Sequence, residues 1–447
     1  MTKHITSNLV AFAIISLLFS ACGQKKEEPK LNKELEAKMD KAAESYVKLV
    51  LQIGKYDPGY IDAYYGPADW KPKEENAKYD SSAIQNLYNE TDTLLNNLEV
   101  LRNYKAQRIE VLRYTYLYKQ ILAAKASLVM LAGGKFTFDK EAKALFDADP
   151  PTYNTGHFQT IIDSLDKILP GKGSVSERFQ NFTKHFIIPK EKLSAVFNAA
   201  INEARKRTLE HIKLPQNENF KVEYVTDKPW GGYNWYKGNS YSVIQINTDL
   251  PIYIDRAIDL ACHEGYPGHH VYNTLLEKDL YKGHGWVEFS VYVLYSPQSL
   301  IAEGTANYGI EVCFQGKERI KFETDVLFPL AGLDTSKAAQ YYKVLNLVKK
   351  LDYGTNEAAR NYLDGNWTKE ETQKWLEKYT LASKAQAAKR IQFIEKYRSY
   401  VINYNYGQDL VKRYIERHGG SDEHPEKRWK LFKELLSTPE TPSNLME

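Results

Sequence analysis

An eight-residue segment, 263–270, constrains the fold of this chain more than any other stretch. It reads His-Glu-Gly-Tyr-Pro-Gly-His-His and holds three of the ten histidines. Pro267 cannot donate a hydrogen bond to the carbonyl of His263, and its ring crowds that carbonyl. A helix that carries this segment therefore has to bulge or break inside it. With two residues looped out, His269 takes the position of the fourth residue after His263, whereas His270 would lie about 10.5 Å along a regular helix.

Imidazole nitrogens beside a carboxylate are the groups that a zinc-dependent hydrolase uses. We expect His263 and either His269 or His270 to be two ligands of one Zn²⁺ ion. Glu303, on a later amphipathic stretch, is the candidate third ligand if the two helices are antiparallel neighbours. Two histidines and one glutamate leave one coordination position open, as a catalytic zinc site requires.

The remaining polar residues near this segment have candidate roles around the metal. Glu264 follows the first ligand and is predicted to be the general base that takes a proton from water and passes it to the leaving group. Asp259 and Glu311 are each spaced so that they could orient a ligand imidazole. Their spacing alone does not choose between them.

The segment resembles a motif of a known bacterial family. That family shows His-Glu-x-x-Pro-Gly-His-His, a downstream Glu-Gly-Trp-Ala-x-Tyr, an upstream Asp-Ala-Tyr-Tyr-Gly-Pro and a Gly-Gln pair near the C-terminus. The corresponding stretches here are 263–270, 303–308, 62–67 and 407–408. The family is an uncharacterised domain of unknown function that is grouped with the gluzincin-type zinc metallopeptidases, and the resemblance covers about residues 56–414.

The resemblance implies a mostly helical fold, a bound zinc ion and peptide hydrolysis. It implies His263, His269 and Glu303 as ligands and Glu264 as the base, with His270 as the competing ligand.

Two departures from the family pattern affect the other site residues. Thr305 stands where a tryptophan is common, and Lys412 stands where an aromatic residue is expected. Tyr404 and Tyr406 are therefore the predicted donors to the oxyanion of the reaction, and Tyr414 is a further nearby tyrosine.

The N-terminus is typical of an exported lipoprotein. An apolar run over residues 9–19 ends at Ser20-Ala21-Cys22, and it is too short for the roughly 20 apolar residues that span a bilayer. We predict a lipoprotein signal peptide at 1–21, lipidation of Cys22 and a flexible tether at 22–32. The alternative is an ordinary cleaved signal. Either places the protein in the cell envelope or outside the cell, and lipidation would anchor it to a membrane on the periplasmic or extracellular face.

Composition agrees with a folded exported enzyme. Hydrophobic residues make up 43% of the chain, and the net charge of +3 gives no indication of nucleic-acid binding. We expect a helical region at 33–215 that packs as one unit with a metal-binding region at 216–447. Cys262 and Cys313 are predicted to be buried free thiols that do not meet, because a helix separates Cys313 from Glu303 by about 15 Å.

The predicted fold class is mainly α, a large helical domain with a small β-sheet beside the metal-binding helix, as in zincins. Strand patterns at 220–226 and 241–248 flank an aromatic, glycine-rich loop at 229–236. The second strand is a candidate edge that binds a peptide by strand addition, through Tyr241, Val243 and Gln245. The alternative is a structural hairpin of the two strands.

Two other functional classes fit the same residues. One is a zinc hydrolase that acts on an ester, an epoxide or a cell-wall amide. The other is a binding lipoprotein that keeps the fold without catalysis, although retention of both Glu264 and an open ligand set argues against it.

Overall fold

The computed structural model describes residues 33–74, 76–102 and 106–446. The predicted signal peptide, the lipidation site Cys22 and the tether at 22–32 lie outside the described residues. The described chain is mainly helical with small β-sheets, which confirms the predicted mainly α fold class. The predicted likeness to zincins stays a prediction.

The first half of the described chain is helical. Its α-helices are α1 (Lys33–Ile53), α2 (Ser81–Glu99), α3 (Arg108–Leu131), α4 (Phe138–Phe146), α5 (Thr155–Ile168), α6 (Val175–Thr183) and α7 (Leu193–His211). All seven lie within the helical region predicted at 33–215. Local caps set several starts, since the Asp80 side chain accepts hydrogen bonds from two backbone amides of α2 and Ser174 forms a capping box with Glu177.

Two small sheets lie between and beside the helices. Strands β2 (Asn219–Val225), β3 (Gly232–Tyr236) and β4 (Tyr241–Asn247) form one sheet in the order β2-β4-β3. β2 pairs with β4 in parallel and β3 pairs with β4 antiparallel. The predicted hairpin of 220–226 with 241–248 is therefore wrong, because parallel neighbours cannot be joined by a hairpin turn. Strands β1 (Ile61–Tyr64) and β5 (Val291–Val293) form the second sheet.

The second half is again helical. Its α-helices are α8 (Asp255–Leu260), α9 (His269–Leu275), α10 (Pro297–Cys313), α11 (Lys317–Phe322), α12 (Phe328–Ala331), α13 (Ala338–Val348), α14 (Gly354–Leu363), α15 (Lys369–Tyr379), α16 (Lys384–Tyr397), α17 (Ile402–Arg417), α18 (Pro425–Ser437) and α19 (Pro442–Met446). Helix α10 lies at the centre and is buried along most of its length. A helix buried on every side can present a side chain to an internal site.

The core consists of a large cluster that includes α4–α10 and α13–α18 and a smaller one built on α1, α2 and α3. Within the described ranges, no helix is both long and apolar enough to cross a membrane. The predicted division at residue 215 stays a prediction.

Candidate metal centre

The helix that carries the histidine-rich segment changes its winding there, as the proline predicted. Helix α8 continues into a π-helical turn, Ala261–Gly265, and regular helix resumes at His269. The amide of Gly268 donates to the carbonyl of Cys262 at 2.9 Å. A Cβ on Gly268 would lie 2.0 Å from the carbonyl oxygen of His263. Only glycine fits this close approach, so Pro267 and Gly268 together loop the chain out and return His269 toward His263.

Three ligand atoms converge beside this kink. The Nε2 atoms of His263 and His269 lie 3.1 Å apart. Oε2 of Glu303, from α10, lies 3.1 Å from Nε2 of His263 and 3.6 Å from Nε2 of His269. Among the described residues, these three form a group able to hold a metal ion. The structure thus brings together the two kink residues and the distant carboxylate that the sequence singled out.

The geometry of this group fits a zinc ion. Tetrahedral coordination with bonds of about 2.0–2.1 Å places neighbouring ligand atoms ~3.4 Å apart, close to the three observed separations. Oε2 of Glu303 is also buried and faces the two imidazole nitrogens. A buried carboxylate is costly unless a cation faces it, which a metal ion or a protonated imidazole provides. The donor set of two imidazoles and one carboxylate is one that zinc hydrolases use.

The charges of the three side chains are strongly coupled. Burial alone would raise the pKa of Glu303, but the imidazoles of His269 and His263 outweigh burial and hold that pKa well below its usual range. Burial alone would lower the pKa of His269, yet the carboxylate of Glu303 raises it to about 9. The group therefore keeps an ionised carboxylate next to a site that favours a positive charge.

Two neighbours orient the ligands. Nδ1 of His263 bonds to Oδ1 of Asn307 at 2.9 Å, and Asn307 lies one helical turn after Glu303. The hydroxyl of Tyr400 donates to Oε1 of Glu303 at 2.7 Å. Partners of this kind fix ring tautomer and carboxylate direction. Sequence spacing missed both residues, although Asn307 belongs to the quoted motif of α10.

The residues predicted for this orienting role are engaged elsewhere. The carboxylate of Asp259 pairs with Arg256 at 2.9 Å and with Arg319 at 2.8 Å. The carboxylate of Glu311 pairs with lysines of α17 and of the 3₁₀ turn after α13. The prediction that either one orients an imidazole is wrong because these cations hold them.

Helix α10 is held at its ligand position by close contact with α17. A Cβ on Gly304 would lie 2.5 Å from the carbonyl carbon and oxygen of Gly407. The two glycines let the backbones touch, and Asn307 adds a hydrogen bond of 2.8 Å to the carbonyl of Tyr404. Gln408, which follows Gly407, donates to Glu311 on α10 at 2.9 Å. The Gly-Gln pair thus joins the ligand helix to the helix that supplies the tyrosines.

Glu264 lies beside the metal group with a free carboxylate. It is buried, and its Oε1 lies close to β3, since a Cβ on Gly232 would lie 2.7 Å from that oxygen. Its backbone carbonyl accepts from Asn234 at 2.7 Å. Burial raises the pKa of Glu264, and the nearby imidazoles of His263 and His269 oppose that rise. A carboxylate with an elevated pKa is better suited to move a proton near neutral pH.

His270 points away from the group. Its Nδ1 lies 2.9 Å from Oγ of Ser242, and its Nε2 lies 3.1 Å from Oε2 of Glu218. Both ring nitrogens are therefore used inside the core beneath the three-stranded sheet. The prediction of His270 as a competing metal ligand is wrong, because the kink turns His269 toward the metal position and its neighbour in the opposite direction.

The two predicted tyrosines, Tyr404 and Tyr406, also lie on opposite sides of the cavity wall, one at the cavity and one away from it. Tyr404 lines the cavity beside the metal group, and its ring stacks on that of His263 at a centroid distance of 6.2 Å. Tyr406 lies outside the cavity lining, and its hydroxyl faces Sδ of Met446 at 3.9 Å. Residues two apart on a helix face different sides, so only Tyr404 is placed to contact a substrate.

The predicted substrate strand is also corrected. β4 is the central strand of its sheet, so its residues Tyr241, Val243 and Gln245 offer no free edge, and they lie outside the cavity lining. The edge nearest the metal is β3, which the sequence predicted as a loop. Residues at the start of β3, and those just before it, form part of the cavity wall. The cavity side of this segment comprises Pro229, Trp230, Gly231, Gly232, Tyr233 and Asn234.

The metal group opens into a cavity of about 910 Å³. A cavity of this size accommodates a short peptide or a drug-sized molecule. Asp62 of β1, in the upstream motif, also lies on its wall and accepts a hydrogen bond from the hydroxyl of Tyr233. Burial raises the pKa of Asp62 to about 6.

The two cysteines are buried and free, as expected. They do meet, however, since the thiols of Cys262 and Cys313 form a hydrogen bond. The helical distance argument was wrong because the π-helical turn brings Cys262 against the end of α10. Burial raises the pKa of Cys262 the most, and the neighbouring thiol raises it further.

Comparison with known proteins gives a likeness in fold. No family model matches the sequence, and no curated protein matches it. Among solved structures, the chain is similar to one described as a "putative lipoprotein" from Colwellia psychrerythraea. The two are 16% identical with a TM-score of 0.50, over 85% of this chain and 70% of that chain.

Proposed function

We propose that this protein is a zinc-dependent peptide hydrolase of the family with the His-Glu-x-x-Pro-Gly-His-His motif. The observation that carries the proposal is the convergence of three ligand atoms at 3.1–3.6 Å beside a buried carboxylate. His263, His269 and Glu303 would hold the ion. When bound, zinc supplies the Lewis acidity that polarises a carbonyl and acidifies water.

The chain's own residues account for the remaining chemistry. Glu264 would take a proton from the attacking water and deliver it to the amine that leaves. The hydroxyl of Tyr404, which faces the cavity, would donate to the carbonyl oxygen as negative charge develops there. Asn307 and Tyr400 would keep the ligands oriented.

The edge of β3 would hold the substrate backbone. Gly232 lies against the carboxylate of Glu264, so a peptide added along this edge would pass the general base. Strand addition supplies backbone hydrogen bonds and leaves side chains to fill pockets. The half-buried ring of Tyr233 and the indole of Trp230 stand at this wall of the cavity.

Metal analysis of the Glu264→Gln variant, combined with a peptide-library digest, tests the proposal. We expect about one zinc per chain in the wild type and the variant, since no ligand is removed, and a loss of hydrolysis of about 10²–10⁴-fold in the variant, the usual contribution of a general base. Glu370→Gln, an exposed change at the start of α15, is the matched control.

Three outcomes would contradict the proposal in different ways. Full activity of Glu264→Gln would contradict the role of Glu264 as general base. Absence of bound metal in the wild type would contradict the proposed metal centre. A wild type that holds zinc but cleaves only esters, or nothing at all, would replace the peptide hydrolase with one of the two alternative classes.

We also propose that Cys22 carries a lipid anchor in the cell envelope. The Ser20-Ala21-Cys22 sequence after the apolar run supports it, and the solved structure of similar fold is itself described as a "putative lipoprotein". Mass spectrometry of the N-terminal peptide should find an acylated cysteine in the wild type, and detergent-phase partition should be lost in Cys22→Ser. An N-terminus cleaved at another residue would contradict it.

A further inference from the structure

Arg390, on α16, lines the cavity without a partner. Its side chain is accessible within the cavity. Among the residues that the structure describes, it makes no hydrogen bond and no ion pair. An arginine presents five donors in a planar fork that matches a carboxylate. A guanidinium that lines the cavity without a protein partner can bind an anion that a substrate supplies.

The other described cations on the cavity wall all have protein partners. Arg256 and Arg319 both pair with Asp259, Lys349 pairs with Glu311, and Lys389 pairs with Asp249. The nitrogen–oxygen distance is at most 2.9 Å in each pair. Arg390 therefore differs from its neighbours in this part of the described chain. The unpaired guanidinium is therefore confined to one position on the described cavity wall.

The surroundings of Arg390 favour an incoming anion. Enclosure lowers the pKa of Arg390, and the nearby guanidinium of Arg256 lowers it further, while Asp352 and Tyr404 oppose both. Asp352 is close enough to act on Arg390 without pairing with it, and burial raises its own pKa to about 6. The guanidinium of Arg256, although it is paired with Asp259, adds positive potential near Arg390, which favours an incoming anion.

Arg390, Arg256 and the metal group line the same cavity. Arg256 precedes His263 by seven residues of nearly continuous helix, about 10 Å along the axis. An extended chain covers that distance in about three residues. Tyr404 connects the two places, since its ring stacks on His263 and its hydroxyl affects the pKa of Arg390.

We propose that Arg390, with Arg256 beside it, binds the C-terminal carboxylate of the peptide substrate, so that the enzyme releases short C-terminal fragments. This inference rests on the proposed peptide hydrolase function. Water would add across the C–N bond, giving a new carboxylate on the longer part and a new amine on the released fragment. A peptide without a free C-terminal carboxylate would lack this contact.

The test compares acetyl-Ala-Ala-Phe-Ala with a free carboxylate against the same peptide as its carboxamide. Zinc-loaded wild type, Arg390→Gln and the control Lys384→Gln, an exposed change at the start of the same helix, are assayed by mass spectrometry of the products. Binding of both peptides to zinc-loaded Glu264→Gln protein, with and without Arg390→Gln, is measured by calorimetry. Zinc content is determined for every variant.

We expect the wild type to prefer the free acid by about fivefold, because an ion pair between solvent-accessible groups is worth up to about 1 kcal/mol. Arg390→Gln should lose this preference with unchanged zinc content, and Lys384→Gln should keep it. Equal cleavage and equal binding of acid and amide would overturn the inference while leaving the hydrolase intact. If neither peptide is cleaved, the proposed function fails. Selective binding of the acid through Arg390 would still support the carboxylate site.

Discussion

Replacing Gly304 by alanine tests whether helix contact sets the metal centre. The new Cβ would lie 2.5 Å from two backbone atoms of Gly407, against 3.4–4 Å for an ordinary contact. Because neither helix backbone can rotate away, α10 and α17 must separate by about 1 Å. Overpacking of this kind costs about 3 kcal/mol at the upper end of its range. Alanine returns about 1 kcal/mol of helix propensity, so the free energy of unfolding should fall by about 2 kcal/mol.

The same displacement should weaken zinc binding, because Glu303 directly precedes Gly304 on α10. We expect the zinc affinity to fall at least about tenfold, as for other changes that misdirect a ligand. Urea unfolding of the metal-free protein gives the stability, and competition with a chelator gives the affinity.

Gly309→Ala is the matched control on the same helix. Its Cβ would meet the ends of the Phe432 and Pro267 side chains at 3.1 Å, contacts that require a shift of only a few tenths of an ångström. The gain in helix propensity is the same. If Gly304→Ala is as stable as Gly309→Ala and binds zinc as tightly, the idea that backbone contact positions the ligand is wrong.

Two further changes probe the site and the core behind it. Tyr400→Phe removes the donor to Oε1 of Glu303 and should lower zinc affinity by about 10–100-fold in a chelator competition; an unchanged affinity would mean that the hydroxyl does not support the ligand. Burial would raise the pKa of Glu218, but hydrogen bonds led by that from His270 lower it to about 2. This carboxylate therefore stabilises the fold above its usual pKa of 4.5, and the effect is lost as the pH falls toward 2. Glu218→Gln should be less stable than the wild type at neutral pH by a few kcal/mol, and urea unfolding of metal-free protein should show that gap closing near pH 3; a gap independent of pH would contradict it.

The grouping of His263 with Glu303 could be predicted from the sequence because the titratable residues of the site lie in two short motifs. His263, Glu264 and Glu303 are titratable residues in distinctive strings, and the proline explained why the helix had to deform. The choice between His269 and His270 could not be made from spacing, because it depends on how far the kink unwinds the chain. That is a property of packing around the π-helical turn.

Residues supplied by distant elements could not be predicted. Asn307 is a neutral amide, and Tyr400 and Arg390 belong to helices more than eighty residues further along the chain, so no local pattern marks them. β3 was missed because Gly231 and Gly232 made its segment resemble a loop. Its pairing with β4 is tertiary context that outweighs local propensity.

The unreactive residues of the motifs explain why the three candidate ligands meet at this place. Gly268 allows the looped-out chain to turn back against the carbonyl of His263. The ring of Pro267 packs against Gly309 of α10, so closely that a Cβ on Gly309 would lie 3.1 Å from the ring. The kink is therefore wedged against α10, the helix that supplies Glu303. A site built by such contact leaves its ligands little freedom, because a shift of α10 by about 1 Å moves the carboxylate and the kink relative to each other. The conformational cost of bringing the three ligand atoms together is thus met by helix packing before a metal binds.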